Sequence, residues 1–180
     1  MRWSWVVLAT FVFSASLQAQ SAQSTQKLLE SEAAKLRAWG SDPVIVAAVK
    51  AQNAKKVPLA TIQSLDKQWI AGKAETLVKQ IITGTCADHL RQLAATNTVY
   101  GEIFVMDNQG ANVCASDKTS DYWQGDEAKW QRAFAAGKGD VFIDRPRYDD
   151  SASRNLAQIS VPVMDGGRAI GAITIGLTVR

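Results

Sequence analysis

Arg168-Ala-Ile-Gly-Ala-Ile-Thr-Ile-Gly-Leu-Thr-Val179 is the stretch that decides the fold. It reads as one long strand, in which side chains point alternately to opposite faces with period two. Ile173, Ile175, Leu177 and Val179 share one face, while Ala172, Thr174 and Gly176 share the other. One face is built for packing and the other leaves room. Just upstream, Asp165-Gly-Gly167 carries the chemistry of a tight hairpin turn, so a strand over 155–164 pairs antiparallel with the last one. There Ile159, Val161 and Val163 oppose Gln158 and Ser160, which repeats the same division.

Further back, Tyr100–Met106 alternates as a strand, with Ile103 and Val105 on the packing side and Phe104 and Met106 opposite. Asp107-Asn-Gln-Gly110 supplies a turn, and Ala111–Ala115 returns as the hairpin partner. A short helix over 126–136 follows, with Asp126 as its cap, Trp130 and Phe134 four apart, and Gly137 at its end. A strand over 140–144, then a polar loop over 145–153, lead into the final hairpin.

Everything before residue 96 reads as helical. Leu29, Ala33, Leu36 and Trp39 fall near one helical face until Gly40, and Ser41-Asp42-Pro43 opens a helix over 43–54 with a cap and a proline at its first position. Pro58 repeats the device before the stripe Ile62, Leu65 and Trp69. The segment 74–95 is two helices, 74–83 and 86–95, or one kinked at Gly84, with Thr85-x-x-Asp88 as a capping start. Helices followed by β-β-α-β-β-β predict an α+β domain: an N-terminal helical segment, 20–73, then a central five-stranded antiparallel sheet within 74–180.

Residues 1–19 have the order of a secretory signal peptide: Arg2, the apolar run Val6–Leu17, and Ala19 as the small cleavage residue. The alternative is an uncleaved anchor, although spanning helices usually need about 20 apolar residues. A leader predicts a periplasmic or secreted protein. In that oxidising setting Cys86 and Cys114 read first as a disulfide, and otherwise as two buried thiols. The formal net charge of +3, with scattered Lys and Arg, leaves no electrostatic footprint for nucleic acid.

Catalysis and metals have little to stand on. His89 is the sole histidine, there is no Gly-x-Ser-x-Gly turn, Gly137-Lys-Gly139 is too short to cradle phosphate, and Asp107-x-Gln109 lacks the acidic ladder of a calcium loop. No enzyme, cofactor or metal site is expected.

Three pieces in order, Glu102-Ile-Phe-Val-Met-Asp-Asn-Gln-Gly110, Asp121-Tyr-Trp-Gln-Gly-Asp-Glu-Ala-Lys-Trp130 and Gln158-Ile-Ser-Val-Pro-Val-Met-Asp165 leading into Ile170-Gly-Ala, resemble the single-Cache (PAS-like, PDC-type) extracellular sensor domains of bacterial chemoreceptors and histidine kinases. The resemblance covers about 75–179. It implies a small-molecule cavity on the sheet face away from the long N-terminal helix, lined by Phe104, Gln158, Ser160 and Thr174. Its walls would be Tyr122, Trp123 and Trp130 from the covering segment, with Arg145, Arg147, Tyr148 and Asp149 after the third strand. Aromatic faces enclose a ligand while Arg grips a carboxylate and Asp accepts from an ammonium. The plainer readings are core packing for Trp130 and a solvated turn for Asp149.

The expected ligand is a small organic molecule, amino-acid-like or a carboxylate. Family members continue from the last strand into a membrane helix and an output module, and the sequence ends at Arg180. The expectation is therefore an untethered domain that works through a membrane receptor or histidine kinase, as a monomer or weak dimer. The alternative is an interaction module that keeps the fold without a ligand.

Overall fold

The computed structural model describes residues 20, 23–149 and 154–179; the leader read over 1–19 lies outside the described residues. Helix α1 covers 23–36 and runs into a 3-10 turn, Arg37–Ser41. Then come α2 (Pro43–Ala54), α3 (Leu59–Ile70), α4 (Glu75–Ile82) and α5 (Thr85–Ala94). Strands β1 (Tyr100–Met106) and β2 (Asn112–Ala115) form the first hairpin. After α6 (Ala128–Phe134) follow β3 (Phe142–Ile143), β4 (Arg147–Asp149), β5 (Arg154–Asp165) and β6 (Arg168–Val179). No helix among the described residues is long and apolar enough to cross a membrane.

The α+β architecture is as expected, with all pairings antiparallel and the order β2-β1-β6-β5-β3. A sixth short strand departs from the expectation. The segment read as a loop over 145–153 contains β4, which pairs Arg147 with Leu156 and Tyr148 with Asn155 on β5. Conversely, the strand read over 140–144 shrinks to Phe142–Ile143. Asp140 and Asp144 each accept, through Oδ1, the N–H of the next residue (2.7 and 2.8 Å), so the backbone turns locally at Val141 and Arg145, and the ladder ends with Asp144 N donating to Gln158 O at 2.8 Å.

Two helix starts also differ. The residue before α5 is Gly84, at φ +91°, and no side chain caps the helix; Asp88 pairs with Arg91 instead. Helix α6 is preceded by Glu127 rather than Asp126, again without a side-chain cap. The start of α2 is as read: Asp42 Oδ1 accepts from Val44 N at 2.9 Å and Ile45 N at 3.3 Å, with Pro43 at the first helical position. Its Oδ2 lies 2.9 Å from His89 Nε2, which ties α2 to α5.

The sheet is buried on both faces. Leu29, Ala33 and Leu36 of α1, Ile45 and Val49 of α2, and Ala87 and Leu90 of α5 pack against Ile103, Val105, Ile159, Val161, Ile173 and Ile175. On the other face, Ile62 and Trp69 of α3, Ile81 of α4 and Ala133 of α6 gather around Phe104, Met106 and Ala172. Residues of the 20–73 segment thus contribute to both cores. The turn at Gly40 crosses β5 so closely that a Cβ there would stand 2.1 Å from the Pro162 carbonyl oxygen.

One buried charge joins the layers. Glu32 on α1 accepts from the Tyr100 hydroxyl at 2.6 Å and from Lys35 Nζ at 2.7 Å. Burial and the Glu32 carboxylate push the Tyr100 phenol up to about 12. For Glu32 burial works upward, but the bonds from Lys35 and Tyr100 together hold its carboxyl below the ordinary value of 4.5.

Cys86 on α5 and Cys114 on β2 form a disulfide, closing a loop of 28 residues. The pairing favoured from sequence is the one observed.

Three measurements check this framework. Cys86→Ser with Cys114→Ser should lower the unfolding free energy in urea by about 3–4 kcal/mol, the loop entropy restored to the unfolded chain. Gly40→Ala should cost about 2–3 kcal/mol through overpacking against Pro162. Because the Glu32 carboxyl is held low, its contribution is present above pH 4.5 and lost as acid protonates it; Glu32→Gln should flatten stability against pH in that acid window.

Candidate functional site

Cross-strand register builds the roomier face row by row. One row runs Ala115, Phe104, Thr174, Ser160 and Phe142 across β2, β1, β6, β5 and β3. At its centre the Ser160 and Thr174 hydroxyls hydrogen-bond each other at 2.8 Å, both fully buried. Helix α6 lies over this row. Ala133 packs into it, Lys129 Nζ stands 5.4 Å from the Phe104 ring centroid, and the Arg132 guanidinium carbon stands 4.5 Å from that of Phe142. Cations over aromatic faces are attracted by the ring quadrupole, the more so when desolvated. The floor formed by Phe104, Thr174 and Ser160 is therefore covered by the chain itself.

The next row carries a glycine in place of Thr174. It pairs Gly176 on β6 with Gln158 on β5, whose carbonyl accepts from Asp144 N at 2.8 Å, and Gly176 offers no side chain to fill it. A hollow of about 320 Å³ lies beside this row, lined by Glu102, Glu127, Lys129, Asp144, Arg145, Arg147, Tyr148, Leu156 and Gln158. Its charges are mostly satisfied within their own walls. Glu127 pairs with Lys129 at 2.9 Å, Asp144 with Arg147 at 3.3 Å, and Glu102 accepts from Gln158 Nε2 at 3.5 Å. The Arg145 guanidinium forms no ion pair among the described residues.

Four of the residues singled out from sequence meet in this hollow: Arg145, Arg147, Tyr148 and Gln158. Asp149 pairs through its backbone with Arg154 on the same edge. Phe104, Ser160 and Thr174 lie one row away under α6. The remaining three are placed elsewhere. Tyr122 is buried with its ring 5.8 Å from that of Trp69, Trp123 Nε1 donates to Gln109 O at 2.8 Å, and Trp130 Nε1 donates to Asp107 O at 2.9 Å. Burial pushes the Tyr122 phenol up to about 12, with the nearby Asp107 charge adding to it. Asp66 on α3 fixes this segment by accepting from both Tyr122 N (2.9 Å) and Trp123 N (3.0 Å). Asp107 serves its turn: its Oδ1 accepts from Gln109 N and Ala111 N, and burial raises its carboxyl despite them.

Glu102, Glu127, Lys129, Asp144 and Leu156 line the hollow without having been anticipated. Strand parity alone places Glu102 two before Phe104, and Leu156 two before Gln158, on the roomier face. Lys129 had no such signal, since its aim depends on the rotation of α6. A larger hollow, about 590 Å³, sits at the α3–α4 elbow between Leu65, Gln68 and Leu77, and it contains none of the anticipated residues. Among the described residues no cluster of His, Cys, Asp or Glu is suited to hold a metal.

No protein-family model matches this sequence, and no curated protein is matched by it. Among solved structures, the chain is similar to the extracellular domain vpHK1S-Z8, assigned to a histidine kinase, with a TM-score of 0.55, 9% identity, and coverage of 98% of this chain and 62% of that one. It also aligns with the ligand-binding domain of the Pseudomonas aeruginosa amino-acid chemoreceptor PctC in complex with GABA (TM-score 0.44, 13% identity, 88% and 62% covered). A third is the ligand-binding domain of the Campylobacter jejuni chemoreceptor Tlp3 in complex with 4-methylisoleucine (TM-score 0.42, 15% identity, 91% and 60% covered). The chain spans about three fifths of the length of these structures. With its helical lead, antiparallel sheet and covering helix, the chain has the fold of the extracellular domain of vpHK1S-Z8.

Proposed function

We propose that this protein is an extracytoplasmic sensor domain that binds a small amino-acid-like or carboxylate ligand in the hollow beside Gly176. Occupancy would be relayed by altered contact with a membrane-bound receptor or histidine kinase. The observation that carries the reading is Arg145: a guanidinium with no ion pair among the described residues, lining a hollow whose other charges are mostly matched within their own walls. A guanidinium grips a carboxylate with two parallel hydrogen bonds, and its fork geometry selects that group. The sensor-domain fold supports the reading, and the Cys86–Cys114 disulfide is consistent with the oxidising compartment to which the leader would send the chain.

A ligand that binds only the folded state raises its melting temperature by mass action. Screening amino acids and small carboxylates by thermal shift should therefore yield a specific hit, weakened about tenfold or more in Arg145→Gln. Gly176→Leu should weaken the hit by pushing Glu102 out of its place in the wall. The glycine itself tolerates the first carbon, since an added Cβ would meet Glu102 Cγ at an ordinary 3.4 Å. A flat response across both chemical classes would reject the sensor reading. It would favour an interaction module, for which the covered floor at Phe104, Ser160 and Thr174 is the supporting observation.

A further inference from the structure

The hollow beside Gly176 already contains an ammonium of its own. Lys129 stands in the first turn of α6, its side chain only 12% exposed, with Nζ 5.4 Å from the Phe104 ring centroid and 2.9 Å from Glu127 Oε2. An aromatic face beside a carboxylate is the arrangement that holds an alkylammonium. Where a bound amine would find these two partners, the chain has placed its own side chain.

The other acids of the hollow are engaged as well. Asp144 takes Arg147 at 3.3 Å, and Glu102 takes the Gln158 amide at 3.5 Å. The hollow's three carboxylates and three cations balance in formal charge, yet Arg145 has no acid paired with it among the described residues. Lys129 has three N–H donors and one ion-pair partner, Glu127, and Arg145 has five with no carboxylate partner among the described residues. An incoming carboxylate meets donors on both walls; an incoming ammonium must first displace Lys129 from Phe104 and Glu127.

Resting on the sensor reading, we propose that the hollow takes a small carboxylate without an ammonium group, with Lys129 standing in place of the amino group that an amino acid would bring. Lys129 is then a specificity-determining residue: it excludes amines by occupying their cage and adds a second cation for the anion.

Glutarate, 4-aminobutyrate and 1,3-diaminopropane test this, because each has three methylenes between its end groups and they differ only in the charges at the ends. Glutarate should raise the melting temperature by about 5–10 °C at a hundredfold excess over its Kd. By titration calorimetry 4-aminobutyrate should bind at least tenfold more weakly, and 1,3-diaminopropane should show no binding. Lys129→Met keeps an apolar stem on Phe104 but removes the charge. It should weaken glutarate by about 10–100-fold, the loss expected for a hydrogen bond to a charged group, and bring 4-aminobutyrate level with it or ahead. Arg145→Gln, on an exposed position, should weaken both carboxylate-bearing probes and serves if the Lys129 variant fails to fold.

The inference is overturned if an amine-bearing probe binds the unaltered protein more tightly than glutarate, or if Lys129→Met, folded by circular dichroism, leaves the order of the three unchanged. In that event an Arg145-dependent hit would still uphold the hollow as a ligand site. No shift from any of the three, nor from a wider set of carboxylates and amino acids, would instead remove the sensor reading itself.

Discussion

Strand β6 is buried on both sides, and the rest of the molecule is arranged to make that possible. Burying the odd-numbered residues Ile173, Ile175 and Leu177 requires a helical layer, which α1, α2 and α5 provide. Burying Ala172 and Thr174 requires another, yet those side chains are too small to fill the space above them. The second layer must therefore bring its own bulk. Helix α6 does so with Ala133, Lys129 and Arg132, laying cations over Phe104 and Phe142 on either side of the Ser160–Thr174 hydroxyl pair. Beside Gly176, at the start of α6, a space stays open between Glu102, Gln158 and Lys129. The candidate site is the part of this face that the packing leaves unfilled.

Buried polar groups decide how the covering segment is held. The indole N–H groups of Trp69, Trp123 and Trp130 donate to the carbonyls of Thr119, Gln109 and Asp107, and Asp66 accepts two successive backbone N–H groups. A buried indole needs an acceptor, and a buried amide needs a partner, because leaving either unpaired costs about 1–3 kcal/mol. These bonds pin the stretch between β2 and α6 to α3 and to the β1–β2 turn. The aromatic residues of this stretch act as pegs in the framework, while the hollow draws its walls from Glu102, the start of α6, and the β3–β4 edge. The site is thus mainly charged, with Tyr148 as the one aromatic among the described residues that line it, and its chemistry rests on which charges already have partners.

Much of this architecture can be read from local pattern. The alternation in β1, β5 and β6 separates the two faces correctly, and Asp165-Gly-Gly167 and Asp107-Asn-Gln-Gly110 mark the hairpins that join them. Asp42-Pro43 marks the start of α2 because cap and proline act within one turn. The pattern is silent where local choices compete on equal terms. Asp140 and Asp144 look compatible with a strand but bond their neighbours' backbone, and Arg147–Asp149 looks like a loop until the long edge of β5 offers it a partner. At Gly84 a positive φ replaces the side-chain cap suggested by Thr85 and Asp88.

By itself the sequence determined the order of elements, the two faces of the sheet and the room that small residues on one face leave to be filled, because periodicity and turn chemistry act over a few residues. Only the tertiary structure decided how that room is divided. The rotation of α6 sends Lys129 onto Phe104, and the pairing of β4 brings Arg145, Arg147 and Tyr148 opposite it. Both depend on contacts between segments far apart in the chain, whose register and rotation no local pattern specifies.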